Sequence, residues 1–360
     1  MGSGRGLRIF GLIASCAAMV GGALAVVAPA GVSRAETGAA ARAGGASGGY
    51  PYWSYDGPGS DPATYTWTDG RGNGFSPYGY AYRNCTDFAA WKLSTANRFG
   101  GYRGLGNASS WAARARGRGY RVDRTPARGA IAWWGGELFH GFGHVAWVVN
   151  VYVGSVEVAE YNHDGTGRYD TRRIPARSAD AYIHFRDLPL RLRDGDFVSA
   201  PGEGGAYRLI GGAPLPVERW SSFGGRRPVL LVDRRLFRRL RGLPANGTLV
   251  RAGSQPYRIA GGAPIAIAGW TRIGGRRAAT RVDPAALARA GGAGRWGHLR
   301  RLPRNHTILR AGLEGPLYST RGGVPRAIPL LPPGRSAVVV DPAAIANAGR
   351  PGIWRFLRAP

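Results

Sequence analysis

Apolar side chains recur every three or four positions in two stretches of the chain, the spacing that gives a helix one buried face. In residues 86–96 the recurring positions are Phe88, Trp91, Leu93 and Ala96, with Ala89 and Ala90 filling between them. Asn84 precedes the run and suits an N-cap, because its side-chain oxygen can accept from a free amide of the first turn. In residues 107–118 the stripe is Trp111, Ala112 and Ala115, with Asn107 as the cap. Further along, the period becomes that of strands. Residues 120–124 predict a short strand, 125–129 a turn, and 130–134 a buried strand ending in Trp133 and Trp134. A glycine-rich loop at 135–143 leads into a strand at 144–149. Residues 151–153 and 156–161 predict a hairpin turning at Gly154 and Ser155, and 183–185 closes the segment. Helices first and strands afterwards give an α+β class with an antiparallel sheet.

The texture changes from Arg193 onward, where an internal repeat begins. The stretch 207–215 (YRLIGGAPL) returns at 257–265 (YRIAGGAPI) and, degenerately, at 318–325 (YSTRGGVP). Asp194-Gly195 is echoed by Asn246-Gly247 and Asn305-His306, Trp220 by Trp270, and Asp233 by Asp283 and Asp341. Residues 188–360 therefore divide into three β-rich repeats of roughly fifty to sixty residues. Each is expected to hold short strands with Gly-Pro turns and a short helix after its Val-Asp pair.

Composition narrows the reading. Hydrophobic residues make up 44% of the 360, enough for packed cores, and the net charge is +28. Lys92 is the only lysine, so the charge is arginine. Such a chain adheres to polyanions, among them nucleic acid, anionic lipid and the phosphate-rich polymers of a bacterial wall. The arginines are spread along the sequence rather than gathered in a nucleic-acid motif, which argues against a specific nucleic-acid partner. Residues 1–35 have the form of an export signal: Arg5 and Arg8, an apolar run, and a small-x-small site at Ser33-Arg34-Ala35, with Ala28-Pro29-Ala30 as an alternative. A retained membrane anchor, or a lipid on Cys16, are the other readings of that span. Residues 36–48, rich in Ala and Gly, read as a linker. A secreted or wall-associated, monomeric protein is expected.

Loss of the signal leaves Cys85 as the single cysteine. No internal disulfide is then open to it, and a lone thiol in an oxidising compartment is a liability unless it is used. At the start of the first predicted helix, backbone N–H groups and the macrodipole favour an anion such as a thiolate. A thiolate nucleophile needs a base, and the base an orienting partner. His144 opens a strand after the glycine-rich loop; Glu160 and Asn162, two apart, are expected on one face of the next strand. One would hold the imidazole and the other face the developing oxyanion, in either order.

Five stretches carry a resemblance: 82–91 (YRNCTDFAAW), 106–111 (GNASSW), 125–133 (TPARGAIAW), 143–148 (GHVAWV) and 158–162 (VAEYN). Together they resemble the CHAP family, the cysteine- and histidine-dependent amidohydrolase/peptidases, over residues 49–187. Ala130 stands where the family often has an acidic residue, and Asn84 where many members have Gln. The resemblance implies a papain-like fold and cleavage of a peptidoglycan amide, either N-acetylmuramoyl-L-alanine or a bond within the peptide. It further implies Cys85 as nucleophile, His144 as base and then acid, Glu160 as its orienting partner and Asn162 as an assistant, with no metal or cofactor. The aromatics of 49–82 serve the core or line a cleft. The pair His140 and His144 lacks the helix that would make it a zinc site, His163 reads as a turn residue, His184 as structural, and Asp69 to Asn73 as a turn rather than a calcium loop. The repeats, which resemble arrays beside exported domains in actinobacteria, are expected to hold the enzyme on wall polymer. The alternative is a secreted protein that binds the wall or polyanions without catalysis.

Overall fold

A computed structural model describes residues 47–136 and 141–360. The expected export signal at 1–35 with Cys16, residues 36–46 of the expected linker, and His140 lie outside the described residues. The described residues are mostly β with few helices, because the C-terminal half adds strands and only α-helices of five residues and shorter 3-10 turns. The expected pairing of N-terminal helices with an antiparallel sheet is confined to the first half.

There, helix α1 (Cys85–Thr95) and helix α2 (Trp111–Gly117) lie on a sheet of β1 (Arg121–Asp123), β2 (Ile131–Trp134), β3 (His144–Tyr152), β4 (Ser155–Tyr161), β5 (Tyr169–Pro175) and β6 (Ala181–His184). The order is β1-β6-β2-β3, with β4 and β5 following β3 off that path, and every one of these pairs is antiparallel. The second predicted helix begins instead as a 3-10 turn at Ala108–Ser110, and neither Asn84 nor Asn107 makes a side-chain cap bond. The apolar stripe sets the packing: Phe88, Ala89, Leu93, Trp111 and Ala115 are sealed against Ile131, Val145, Trp147 and Ile183. Strand alternation sends Ala132, Ala146, Val148 and Val158 to a second apolar cluster on the opposite face. Among the aromatics of 49–82, Tyr50, Trp67 and Tyr82 are core, whereas Tyr65 and Phe75 line a cleft.

The C-terminal half contains three four-stranded units: β7 (Phe197–Ser199), β8 (Ala206–Ile210), β9 (Ala213–Val217) and β10 (Leu230–Leu231); β11 (Leu249–Ala252), β12 (Gln255–Ala260), β13 (Ala263–Ala266) and β14 (Thr280–Arg281); and β15 (Ile308–Ala311), β16 (Leu317–Arg321), β17 (Val324–Ile328) and β18 (Val338–Val340). Their strand orders, β9-β8-β7-β10, β13-β12-β11-β14 and β17-β16-β15-β18, are the same, with the first and last strands of each parallel. The first unit joins the N-terminal sheet where Leu230 pairs Tyr152. The turns are Gly-Gly rather than Gly-Pro. Gly211 and Gly212 have φ of 53° and 78°, the two left-handed residues a two-residue hairpin demands. A Cβ on Gly211 would also meet the Ala245 nitrogen at 2.7 Å. Pro214 lies in β9 and Pro325 in β17, edge strands that tolerate a missing N–H.

The recurring aspartates join the units. Asp341 Oδ1 caps its own helix by accepting from Ala343 N at 2.9 Å, and Oδ2 accepts from Ala268 N and Gly269 N of the preceding unit, both at 2.7 Å. Asp283 does the same with Ala285 N and with Glu218 N and Arg219 N. Asp233 caps only its own helix. Asp341→Ala is therefore expected to destabilise the chain by about 2 kcal/mol, against about 1 for Asp233→Ala, since it strands two further amides. Urea midpoints of the two variants test this.

Candidate active site

Cys85 is the first residue of α1 and is half-buried. The backbone before it is tightly set. Arg83 has a φ of 58°, unusual for a residue other than glycine, and its guanidinium donates to Gly167 O and Tyr55 O. Asn84 turns its amide away from the cap position. Nδ2 donates to Tyr65 O and Tyr82 O, and Oδ1 accepts from Asn162 Nδ2 at 3.0 Å.

His144 begins β3, one residue after Gly143. A Cβ on Gly143 would sit 2.7 Å from Ser109 N and Trp134 O, so only glycine lets the loop pass beneath the turn before α2. The imidazole is 1% exposed. Its Nε2 lies 2.7 Å from Glu160 Oε2, and the Cys85 thiol hydrogen-bonds the ring, which leaves Nδ1 for the sulfur. Glu160 is fully buried near the end of β4. Arg172 on β5, diagonal to Glu160 across the β4–β5 ladder, donates from Nε to Glu160 Oε1 and from Nη2 to Oε2. Four side chains thus form a series, Cys85–His144–Glu160–Arg172.

The charges within it are mutually supporting. Burial pushes the His144 pKa down, but the Cys85 and Glu160 charges and their hydrogen bonds outweigh it and raise it to about 9. Burial pushes the Glu160 carboxyl up; hydrogen bonds from His144 and Arg172 reverse that and hold it below the usual carboxylate range.

Asn162 departs from its expected place. β4 ends at Tyr161, and Asn162 takes a left-handed φ of 58°, so strand alternation stops before it and does not put it on the Glu160 face. Its Oδ1 accepts from Gly167 N at 2.7 Å, and its Nδ2, bonded to Asn84, has one hydrogen to spare. Cys85, His144, Asn84 and Asn162 all open on one cleft of about 470 Å³, walled by Tyr65, Phe75 and Phe142. Cleft volume and an apolar wall with a few polar groups suit a ligand site.

Sequence reasoning missed Arg172 and a buried carboxyl, Asp87, two residues after Cys85 in α1. Tyr50 Oη and Ser76 Oγ donate to its two oxygens. Burial raises its pKa, against those two hydrogen bonds, to about 7. The folded protein then keeps a proton that the unfolded chain releases between pH 3.8 and about 7, so stability falls as pH rises through that window. Asp87→Asn is expected to shrink the difference between urea midpoints at pH 5 and pH 8.

Other candidates resolve locally. Glu160, His163 and Asp170 offer ligand atoms within 4.8 Å of one another, but Glu160 already holds a guanidinium and an imidazole, which opposes a cation there. His163 packs edge-on to His144, centroids 5.6 Å apart. His184 bonds Asp187 and Asp123 across β1 and β6, a structural role. The Asp69 carboxylate is taken by Arg71 N, Asn73 N and Asn73 Nδ2, as in a turn.

A family model described as the CHAP domain matches residues 75–162. Residues 75–162 form a CHAP domain. All four residues singled out in the sequence fall inside it; Arg172 lies beyond it. Staphylococcal secretory antigen SsaA of Staphylococcus aureus is 44% identical over 80 residues, 21% of this chain and 30% of the relative. The antigen of the same name from Staphylococcus epidermidis is 41% identical over 80 residues. The chain spans 30% of the length of these curated relatives, which are staphylococcal where the repeats pointed to actinobacteria. Among solved structures, an N-acetylmuramoyl-L-alanine amidase from Staphylococcus aureus is 32% identical over 29% of this chain and 30% of its own, with a TM-score of 0.27. Among the described residues no helix is long and apolar enough to cross a membrane.

Proposed function

We propose that the chain is an exported peptidoglycan hydrolase that cleaves an amide through Cys85, with His144 as base and acid. The observation that carries this reading is the hydrogen-bonded series from Cys85 through His144 to Glu160 at the floor of an open cleft inside a CHAP domain. The domain family and the secretory naming of the relatives support the substrate class and export. Residues 1–35 are proposed as the signal, 49–187 as a papain-like catalytic domain and 188–360 as three repeats that hold the enzyme on wall polymer.

The chemistry follows from the charges. With His144 raised to about 9, the imidazole carries a proton at neutral pH, the proton that Cys85 gives up when its sulfur reacts. The Cys85 sulfur attacks the amide carbon and the carbonyl π pair moves to oxygen. The Cys85 backbone N–H and the spare Asn162 amide hydrogen are the candidate donors to that oxyanion. Collapse expels the amine, which takes the His144 proton, and leaves a thioester on Cys85. Water then attacks the thioester; His144 accepts its proton and the sulfur leaves as thiolate. Glu160 holds the imidazole by Nε2 so that Nδ1 serves both steps. Arg172 holds Glu160 ionised.

Mass spectrometry of fragments released from purified walls tests the bond class. A new amino terminus on L-alanine attached to no sugar marks the amidase; one elsewhere in the stem or bridge marks the endopeptidase. Release of neither overturns the proposal.

A further inference from the structure

The largest cavity among those described outside the CHAP cleft, about 720 Å³, lies between the second and third four-stranded units. Arg241, Arg304 and Arg335 stand at its edges, with His306 beside them, over a floor of Pro244, Thr307 and Ile308. No Asp or Glu lines it. Among the described residues none of the three arginines forms an ion pair with a carboxylate. Arg335 Nη2 donates to His306 O at 2.7 Å, which orients one guanidinium and fixes the histidine backbone.

The third unit departs from its neighbours at this cavity. Asn305 Oδ1 accepts from Gly322 N, as Asn246 Oδ1 accepts from Gly261 N in the second unit, so the two asparagines are equivalent. The residue after each is Gly247, with φ of 83°, and His306, with φ of 60°. Glycine is the low-energy choice for that left-handed backbone; the third unit places a β-carbon and an imidazole there. The residue before is Ala245 in the second unit and Arg304 in the third. Strain kept at a position where a relative of the same fold avoids it points from the outlier to a function. The arginines of the 224–227 loop (GGRR) are less suited: Arg227 spends Nε and Nη2 on Phe223 O.

We infer that this cavity is a binding subsite for a phosphodiester-linked polymer, its phosphates held by Arg241, Arg304, Arg335 and His306. Guanidinium groups grip phosphate by paired N–H donors, and three of them exceed what one phosphate needs. The cavity has room for a chain segment rather than a single ion. Its lining holds no Phe, Tyr or Trp, so it offers no stacking platform for bases, which disfavours nucleic acid. The inference rests on the wall-attachment reading of the C-terminal half and gives it a location and a ligand class.

The test uses the full chain with Cys85→Ala, so that hydrolysis does not confuse binding. Poly(glycerol phosphate) is titrated at low and moderate salt, beside polygalacturonate of equal charge and duplex DNA. The combined Arg241→Gln, Arg304→Gln and Arg335→Gln variant is expected to bind poly(glycerol phosphate) at least about tenfold more weakly and with a shallower salt dependence. His306→Gly is expected to weaken binding while raising the melting temperature, a split that a merely structural histidine does not produce. Unchanged affinity in the triple variant, or polygalacturonate or DNA binding as tightly as the phosphodiester, overturns the subsite. Sedimentation with intact walls and with walls stripped by hydrogen fluoride separates wall attachment as such from binding at this cavity. Wild type pelleting with neither removes wall attachment itself. Wild type pelleting equally with both, and the triple variant with it, removes this site and leaves attachment standing.

Discussion

Cys85→Ala is expected to lower turnover of soluble muropeptides by at least about 10⁴-fold while the protein stays folded. In the proposed mechanism the sulfur is the only atom of the series that bonds to the substrate carbon, so no neighbour replaces it. What survives in the variant is binding in the cleft and any oxyanion donors, which alone give modest acceleration over water. The fold has little to lose: Cys85 is half-buried at the first turn of α1, and the apolar face of that helix is carried by Phe88, Ala89, Ala90 and Leu93. The measurement is paired: steady-state release of fragments, and a urea midpoint compared with wild type. Turnover within tenfold of wild type in a folded variant would remove the nucleophile and with it the hydrolase reading.

The parts of this site legible in the sequence are those that local pattern reaches. The helix of Cys85 has a 3.6-residue stripe, and His144 follows a loop whose glycines mark a turn; both elements begin within a residue of the expected places, although the strand runs on to Tyr152. Glu160 is read from strand alternation, which holds to Tyr161. Asn162 lies one residue past the strand, where a left-handed backbone ends alternation, and no propensity argument from Tyr161 or His163 announces that. Arg172 was out of reach for a different reason. Residues 169–175 show no apolar alternation, since only Ile174 is buried, and the pairing that brings Arg172 to Glu160 is a register between strands. The same holds for Tyr50 and Ser76 on Asp87, contacts across 37 and 11 residues. In the C-terminal half, the repeated aspartates were visible as a period. Their bonds to the preceding unit are three-dimensional and left no mark beyond it.

Glu160→Gln is the most informative change to the charge series. It keeps the side-chain shape but removes the negative charge that favours the imidazolium. It is expected to lower kcat by about 10²–10⁴-fold, the range lost when an acid–base partner is misheld. Its pH profile is expected to change as well. In the proposed mechanism the leaving amine takes the His144 proton, so wild-type activity is expected to fall as pH rises through about 9, where the imidazole loses it. Without the carboxylate, burial is less opposed and the His144 pKa drops, so the alkaline limb moves to lower pH. Arg172→Gln acts one bond further out. Glu160 remains but loses two donors, its carboxyl pKa rises, and its hold on the imidazolium weakens. The same shift is expected in smaller degree, with kcat down about tenfold, since a charge-assisted bond to a buried carboxylate is worth about 1.5–3 kcal/mol. The readout that separates positioning from mere stability is the limb itself. If Arg172→Gln lowers kcat yet leaves the alkaline limb where it stands in the wild type, the arginine only steadies the fold. If both variants move it in the order Glu160 then Arg172, charge is transmitted from β5 through β4 to the histidine that faces the sulfur.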